Sequence, residues 1–134
     1  MKAVFDTNVL IAAFLTEGVC SKLLARARRK SFQLCICPFL LREFERILAK
    51  KLKASVDEMD RAVELLLDAV QEQLIPTREI KGVCRDKDDD HVLSCAVEAQ
   101  AGYLVTGDED LLMLKKFQGV RIITPREFEL LFDD

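Results

Sequence analysis

Short apolar runs that end on polar residues alternate with longer amphipathic segments along this chain. Val4 and Phe5 are β-formers in a run too short for a helix, and the run stops at Asp6. Apolar residues then return at helical spacing from Val9, so a helix is predicted to follow the first strand. The same alternation continues along the chain. It predicts an α/β fold in three layers, α/β/α, with a central, largely parallel sheet of about four to five strands.

Turn and capping residues divide the rest of the chain into elements. Residues 55–58 match the S-x-x-E capping box of a helix that runs through about Gln73, and residues 124–127 form a similar box at the last helix. Residues 74–82 are predicted to be a connector or an edge strand. With 134 residues and no low-complexity linker, the chain is expected to form one domain, 1–134. The other predicted strands are 32–37, 103–106 and 120–123, and the other predicted helices are 20–29, 38–50, 91–101 and 111–116.

Composition narrows the class of protein. Half of the residues are hydrophobic and no apolar run approaches the roughly 18 residues that span a bilayer, so a soluble, cytoplasmic protein without a membrane segment is expected. The five cysteines include no C-x-x-C pair and His91 is the single histidine, which argues against zinc and for a reducing compartment. A net charge of -3 argues against general attraction to nucleic acid, although a local basic patch is compatible with it.

Four carboxylates fall where predicted elements begin or end. Asp6 and Asp108 follow buried strands, and Glu43 and Asp90 lie near helix starts. The carboxyl ends of parallel strands meet at one edge of a sheet, where ligands bind, and a carboxylate cluster at that edge needs a cation. All-oxygen ligation suits Mg²⁺ or Mn²⁺, which support phosphodiester displacement. Taken singly, Asp6 is better explained as a helix N-cap, and Glu43 as an ordinary ion-pair partner of Arg46 or Lys50.

Basic residues form a ridge on one predicted helix. At about 100° per residue, Arg42, Arg46 and Lys50 share a side of the helix at 38–50, away from its apolar stripe. We predict that this ridge binds nucleic-acid phosphates, and a solvated helix face is the alternative. A second basic cluster, at the end of the helix at 20–29, is a further candidate for the same contact: Arg26, Arg28 and Arg29.

Four motifs in fixed order resemble the PIN-domain family, in particular the small single-domain bacterial and archaeal proteins grouped with VapC-type toxins. They are F-D-T-N-V-L at 5–10, L-L-R-E-F-E-R-I-L at 40–48, R-D-K-D-D-D-H-V-L-S-C-A at 85–96 and Y-L-V-T-G-D-E-D-L-L at 103–112. The resemblance spans essentially the whole chain. It implies the PIN-like version of the three-layer fold.

Carried over position by position, the resemblance implies both the catalytic set and its supports. Lys87 replaces a proline that is frequent in the family's acidic loop, which leaves the choice between Asp89 and Asp90 open. The implied catalytic and metal-ligating residues are Asp6, Glu43, Asp90 and Asp108. The implied supporting residues are Asn8 and Thr106, with Asp89 and Asp110 as auxiliary ligands.

The activity that the resemblance implies is endonucleolytic cleavage of single-stranded RNA by water that Mg²⁺ or Mn²⁺ activates. The ridge of Arg42, Arg46 and Lys50 would then bind RNA. A place as the toxin of a toxin-antitoxin pair, a small antitoxin partner and a homodimer are further expectations from the family. The sequence leaves open the RNA target, the number of metal ions and which carboxylate is the general base.

Two other functions compete with this one. A haloacid-dehalogenase-like phosphatase also places an Asp after the first strand, but that family has a second Asp two residues later, where this chain has Asn8. A PIN module that binds RNA or a partner without cleavage is the non-enzymatic alternative. Loss of an acidic motif residue would favour it, and none is lost.

Overall fold

The computed structural model describes residues 1–133. Their strands are β1 (Lys2–Phe5), β2 (Gln33–Ile36), β3 (Val70–Gln73), β4 (Tyr103–Val105), β5 (Lys116–Phe117) and β6 (Val120–Ile123). Their helices are α1 (Thr7–Leu15), α2 (Val19–Arg28), α3 (Pro38–Lys50), α4 (Val56–Ala69), α5 (Lys87–Glu98), α6 (Glu109–Leu112) and α7 (Pro125–Glu129). The predicted α/β class and the capping boxes at Ser55 and Thr124 are confirmed.

The strands form one sheet in the order β3-β2-β1-β4-β6-β5. Every neighbouring pair is parallel except β5 with β6. Val4 of β1 lies opposite Cys35 on one side and Leu104 on the other, so β1 is an inner strand. The chain proceeds outward from β1 through β2 to β3, and from β4 in the opposite direction to β6. The boundary between β1 and β4 is therefore the topological switch point, where a crevice opens at the carboxyl ends of the strands.

Helices cover both faces of this sheet. Because crossovers between parallel strands are right-handed in nearly all folds, this strand order puts the connections from β1 to β3 on one face and α5, which returns the chain to β4, on the other. On the first face, the rings of Phe5, Phe32 and Phe128 pack with centroids 5.0 to 5.9 Å apart. Phe5 is 1% and Phe128 0% exposed, so this aromatic cluster anchors α7 to the centre of the sheet.

The sheet has six described strands rather than about four to five, because two short strands escaped the sequence pattern. The predicted helix through Gln73 was too long: α4 ends at Ala69 and residues 70–73 pair with β2. Their side chains alternate between half-buried and exposed, which is the period of a strand. The second addition is β5, only two residues long and antiparallel to β6.

Helix α5 begins earlier than its apolar residues predicted. It starts at Lys87 rather than at His91, because the Asp86 side chain accepts a hydrogen bond from the Asp88 backbone N–H at 2.9 Å and caps the helix. The acidic run therefore lies in the first helical turn and not in a loop. Its consecutive carboxylates point in directions about 100° apart.

Two further expectations concern the membrane and the cysteines. Within residues 1–133, no single helix is long and apolar enough to cross a membrane; α1 and α2 pass by length and composition only as a pair, bent by 97°. All five cysteines are free thiols.

Candidate functional site

Asp6 lies directly at the carboxyl end of β1 and is 6% exposed. Its Oδ1 accepts a hydrogen bond from the Thr7 backbone N–H at 2.7 Å, and its Oδ2 accepts one from the Thr106 hydroxyl at 2.7 Å. Burial raises the pKa of Asp6, and the nearby negative charges of Asp108 and Glu43 raise it further against the effect of these hydrogen bonds. Asp6 thus caps α1 and also belongs to a group of carboxylates. The two sequence interpretations are compatible.

Thr106 joins the ends of the two central strands. It is fully buried, its hydroxyl donates to Asp6, and the same oxygen accepts a hydrogen bond from the Asp108 backbone N–H at 3.0 Å. Asp108 in turn caps α6, because its Oδ1 accepts from the backbone N–H groups of Asp110 and Leu111 at 2.8 and 3.2 Å. One hydroxyl therefore fixes the relative position of the carboxylates after β1 and β4.

Asp89 and Asp90 are adjacent in sequence but face different surroundings. Asp90 is 4% exposed, and its two oxygens accept hydrogen bonds from the backbone N–H groups of Gly82 at 3.0 Å and Cys84 at 2.8 Å. Asp89 points toward the other carboxylates: burial first, then the charges of Asp108 and Asp6, raise the pKa of Asp89 to about 6. The structure thus brings Asp89 into the acidic group and holds Asp90 in contact with a loop.

Three of these carboxylates have the spacing of a cation site. One oxygen from each of Asp89, Asp108 and Asp110 lies within 4.8 Å of the other two. Asp110 also accepts two hydrogen bonds from the Arg85 guanidinium, at 2.7 and 3.0 Å. An all-oxygen donor set fits Mg²⁺ or Mn²⁺ and does not resemble a zinc site.

Glu43 reaches the same place from α3. It forms a two-pronged ion pair with Arg46, one turn later, with both N···O distances at 3.0 Å. The pair is partly exposed, because 22% of the Glu43 side chain and 44% of the Arg46 side chain remain accessible. The ion-pair interpretation of Glu43 is therefore correct, and the pair itself borders the carboxylates.

The acidic residues surround a cavity of about 200 Å³, which we call the acidic cavity. Asn8 lies on its wall and is exposed, whereas Asp90 is not among the described residues that line it. Lys51, the C-cap of α3, lines the cavity, whereas Lys50, which was predicted as part of the basic ridge, is not among the described residues that line it. The lining carboxylates are Asp6, Glu43, Asp86, Asp88, Asp89 and Asp108. No role was predicted from the sequence for Asp86 or Asp88. Asp is a favoured N-cap, so Asp86 was the signal that would have predicted a start of α5 at Lys87.

The arginines predicted as further nucleic-acid contacts differ in their environments. Arg26 was a wrong prediction, since it is 4% exposed, bonds Glu129 at 2.7 and 2.9 Å and lies 4.6 Å from the centre of the Phe132 ring. Arg28 is half exposed and lies 3.5 Å from a carboxylate oxygen of Asp68, and Arg29 is exposed. Both lie where α2 ends, four residues before β2 begins, which is the opposite edge of the sheet from Asp6. Arg42 is exposed and lines a neighbouring cavity.

Fold and site together define an α/β protein with a candidate cation site at the switch point of a parallel sheet. The PIN domain family model matches residues 2–110, and the chain belongs to the PIN domain family. No curated protein matches the chain. Among solved structures, VapBC2 from Rickettsia felis, crystallised with a DNA fragment from its promoter, is similar with a TM-score of 0.68 and 14% identity; the match covers 92% of this chain and 98% of the other. That likeness concerns the fold.

Proposed function

We propose that this protein is an Mg²⁺- or Mn²⁺-dependent endoribonuclease that cleaves single-stranded RNA. The observation that carries the proposal is the convergence of Asp6, Asp89 and Asp108, from three separate elements, on one cavity at the switch point of the sheet. Their mutual repulsion opposes folding unless a cation binds there. Membership of the PIN domain family supports a nuclease.

Asp89 and Asp108 would hold the cation, with Asp6 as a further ligand and Asp110 beside them. A bound Mg²⁺ or Mn²⁺ supplies Lewis-acid stabilisation of the phosphate and lowers the pKa of a water nucleophile. In this proposal Asp89 replaces Asp90 in the acidic quartet, because both Asp90 oxygens already accept backbone hydrogen bonds.

The chain's own residues orient the substrate and move the proton. Thr106 fixes the Asp6 carboxylate through its hydroxyl. Asp89, whose pKa is raised to about 6 by burial and by the charges of Asp108 and Asp6, would lose that shift when a cation binds, so its role is that of a ligand. Glu43, which is not among the proposed ligands, would act as the general base for the attacking water, and its partner Arg46 lines the same cavity and would donate to a phosphate oxygen there.

A toxin of a toxin-antitoxin pair is the biological role that we propose. The similar fold of VapBC2 supports an antitoxin partner and is compatible with a homodimer. A small partner protein would inhibit cleavage by placing an arginine or lysine among the carboxylates, where the cation sits. Co-expression with the product of a small adjacent gene tests this, and a stable complex that still cleaves RNA would rule out inhibition by occupation of the site.

The decisive experiment compares RNA cleavage with phosphatase activity. Wild-type protein, Asp6→Asn and the exposed-carboxylate control Asp60→Asn are incubated with a mixed-sequence RNA set, with Mn²⁺ or with EDTA, and separately with p-nitrophenyl phosphate. We expect Mn²⁺-dependent cleavage by wild type and Asp60→Asn, and none by Asp6→Asn. Hydrolysis of p-nitrophenyl phosphate without RNA cleavage would favour the dehalogenase-like alternative. Cleavage retained by Asp6→Asn would indicate a contaminating nuclease.

A further inference from the structure

We propose that a second cavity beside the acidic one is a subsite for a nucleobase of single-stranded RNA, one nucleotide away from the phosphate at the acidic cavity. We call it the base cavity; its lining includes Phe39, Arg42, Arg78, His91 and Ser94. This inference rests on the proposed function for its orientation along the RNA. It adds a binding site to which neither the acidic cluster nor the family match assigns a role.

The two cavities share a wall. Phe39, in the first turn of α3, lines both, and its ring stacks on His91 with centroids 4.7 Å apart and planes 24° from parallel. His91 is exposed and follows directly after the acidic run in α5. An aromatic pair therefore stands beside the carboxylates. A strand whose phosphate enters the acidic cavity would carry its neighbouring base onto this pair.

The base cavity is lined by more basic than acidic residues, whereas the acidic cavity is lined mainly by carboxylates. Its described lining contains two arginines, Arg42 and Arg78, and a single carboxylate, Glu79, which lies 3.4 Å from the Lys81 ammonium. A cation would find no carboxylate cluster here. An anionic strand with planar, hydrogen-bonding bases matches an aromatic platform flanked by guanidinium groups.

The far wall of the base cavity is held in place by α5. Three residues on one face of the helix, spaced by four, bond the segment at 77–84. The Glu98 carboxylate accepts from the Thr77 backbone N–H at 2.7 Å, the Ser94 hydroxyl donates to the Arg78 carbonyl at 2.9 Å, and Asp90 accepts from Gly82 and Cys84. The wall is thus fixed before a ligand binds, which lowers the entropic cost of binding. Asp90 is in this view a positioning residue for the base cavity.

The volume of the base cavity and the unpaired bases of single-stranded RNA both agree with a nucleobase subsite. The base cavity measures about 460 Å³, within the range of roughly 300–1,000 Å³ that is typical of small-molecule sites. Bases of single strands can be splayed onto aromatic side chains, whereas bases of a duplex are stacked inside it. The subsite therefore selects single-stranded over double-stranded RNA.

Binding in EDTA tests the inference without cleavage. Fluorescein-labelled decauridylate, decaadenylate and a decamer that lacks its bases are titrated with wild type, His91→Ala, His91→Phe and Arg121→Ala, the last an exposed arginine on β6. We expect His91→Ala to weaken binding of both base-bearing strands at least about fivefold, and binding of the baseless strand less than twofold. His91→Phe should restore stacking, and Arg121→Ala should match wild type. Equal losses on all three strands, or none, would overturn the inference.

Photo-crosslinking locates the base directly. A decamer that contains 4-thiouridine is irradiated with wild-type protein and the joined peptide is identified by mass spectrometry. Crosslinks to Phe39, His91 or the segment at 75–80 support the subsite, and crosslinks confined to other surfaces contradict it. If the protein binds bases here but never cleaves RNA, the proposed function fails and this inference stands. If it cleaves RNA and neither binding nor cleavage depends on His91, the proposed function stands and this inference fails.

Discussion

The ion pair between α2 and α7 is buried and contains its own counter-charge, whereas the carboxylates at the carboxyl edge of the sheet are only partly buried at Asp89 and Asp108 and contain none among the inner three. Arg26 is 4% exposed and donates to both carboxylate oxygens of Glu129, at 2.7 and 2.9 Å, while Phe132 covers the guanidinium. Asp6, in contrast, is 6% exposed and its neighbours of like charge raise its pKa.

The arginines at the rim do not neutralise the inner carboxylates Asp6, Asp89 and Asp108. Each is already paired with a carboxylate outside this trio: Arg46 with Glu43, and Arg85 with Asp110. A charge away from solvent is normally paired, because removing an unpaired ion from water costs on the order of several kcal/mol. The cluster with its own counter-charge is therefore structural, and the cluster without one is the place where a cation or a partner's positive group is expected.

The largest expected effect separates Asp89 from its neighbour Asp90. Asp89→Asn should lower RNA cleavage by a factor of about 10²–10⁴, because it removes a ligand of the cation that activates the attacking water. Asp90→Asn should leave cleavage by the folded protein much closer to wild type and destabilise the fold by about 1–3 kcal/mol, because an amide cannot accept both backbone hydrogen bonds. Initial cleavage rates and urea unfolding of both variants measure the two effects.

Asp60→Asn serves as the matched control for loss of an exposed carboxylate. If Asp90→Asn abolished cleavage at unchanged stability while Asp89→Asn remained active, the assignment of these two residues would be reversed. The four-carboxylate set that the family resemblance implied would then stand with Asp90 in it.

The next largest effect concerns the ion pair between Arg26 and Glu129. Arg26→Ala leaves the Glu129 carboxylate without its main partner in a largely buried position, and the free energy of unfolding should fall by about 3–5 kcal/mol. Arg28→Ala, which removes an exposed pair with Asp68, should cost less than about 1 kcal/mol. Chemical denaturation gives both values. An Arg26→Ala protein of wild-type stability that binds RNA more weakly would restore Arg26 as a nucleic-acid contact.

Residues that depend on periodicity and element order were predictable from the sequence. Asp6 and Asp108 each follow a short apolar run, and parallel strands bring such positions to one edge of the sheet regardless of details. Thr106, in contrast, was implied only by the family resemblance, as the position two residues before Asp108. The fold class needed only the alternation of strands and helices.

Other features depended on contacts that a linear pattern does not contain. A four-residue error in the start of α5 hid the fact that Asp89 and Asp90 diverge by about 100° on a helix. Arg26 is buried because it pairs with Glu129, which lies 103 residues later in the chain. Strand β3 follows α4 without a break, and its pairing with β2 overrides the helical pattern that precedes it.

A smaller effect is the pH dependence of stability in the metal-free protein. A carboxyl whose pKa is raised on folding stabilises the fold while it is protonated, and this stabilisation is lost as pH rises from about 4, its unfolded pKa, through the folded value. For Asp89 the folded pKa is about 6, and for Asp6 it is raised as well. Asp6→Asn removes one of these charges, so the variant should gain stability relative to wild type as pH rises from about 4 to 7.

Thermal melts in EDTA between pH 4 and 7.5 measure this difference. The comparison with wild type is needed because capping glutamates, whose pKa values are lowered, lose their stabilisation as pH falls. At pH 7, Mn²⁺ at about 100 times its dissociation constant should stabilise wild type by about 2.7 kcal/mol and Asp6→Asn far less. A variant that keeps the full Mn²⁺ shift would remove Asp6 from the cation site.

The smallest effect distinguishes the basic residues beside the acidic cavity from those on the solvated face of α3. Lys51 lines the cavity and Lys50 does not, although the sequence pattern selected Lys50 together with Arg42 and Arg46. Each phosphate contact on single-stranded RNA contributes about 0.7 to the slope of log affinity against log salt concentration. Lys51→Ala should therefore lower that slope by about 0.7, while Lys50→Ala should leave it unchanged, in titrations of a decamer with EDTA. Arg46→Ala is less informative alone, because it also leaves the charge of Glu43 unpaired beside the cavity.

Two outcomes would contradict this prediction. Identical slopes for wild type, Lys51→Ala and the Arg46→Ala/Lys50→Ala double variant would show that α3 does not bind RNA. A slope that falls only in the double variant would assign the phosphate contact to the predicted ridge.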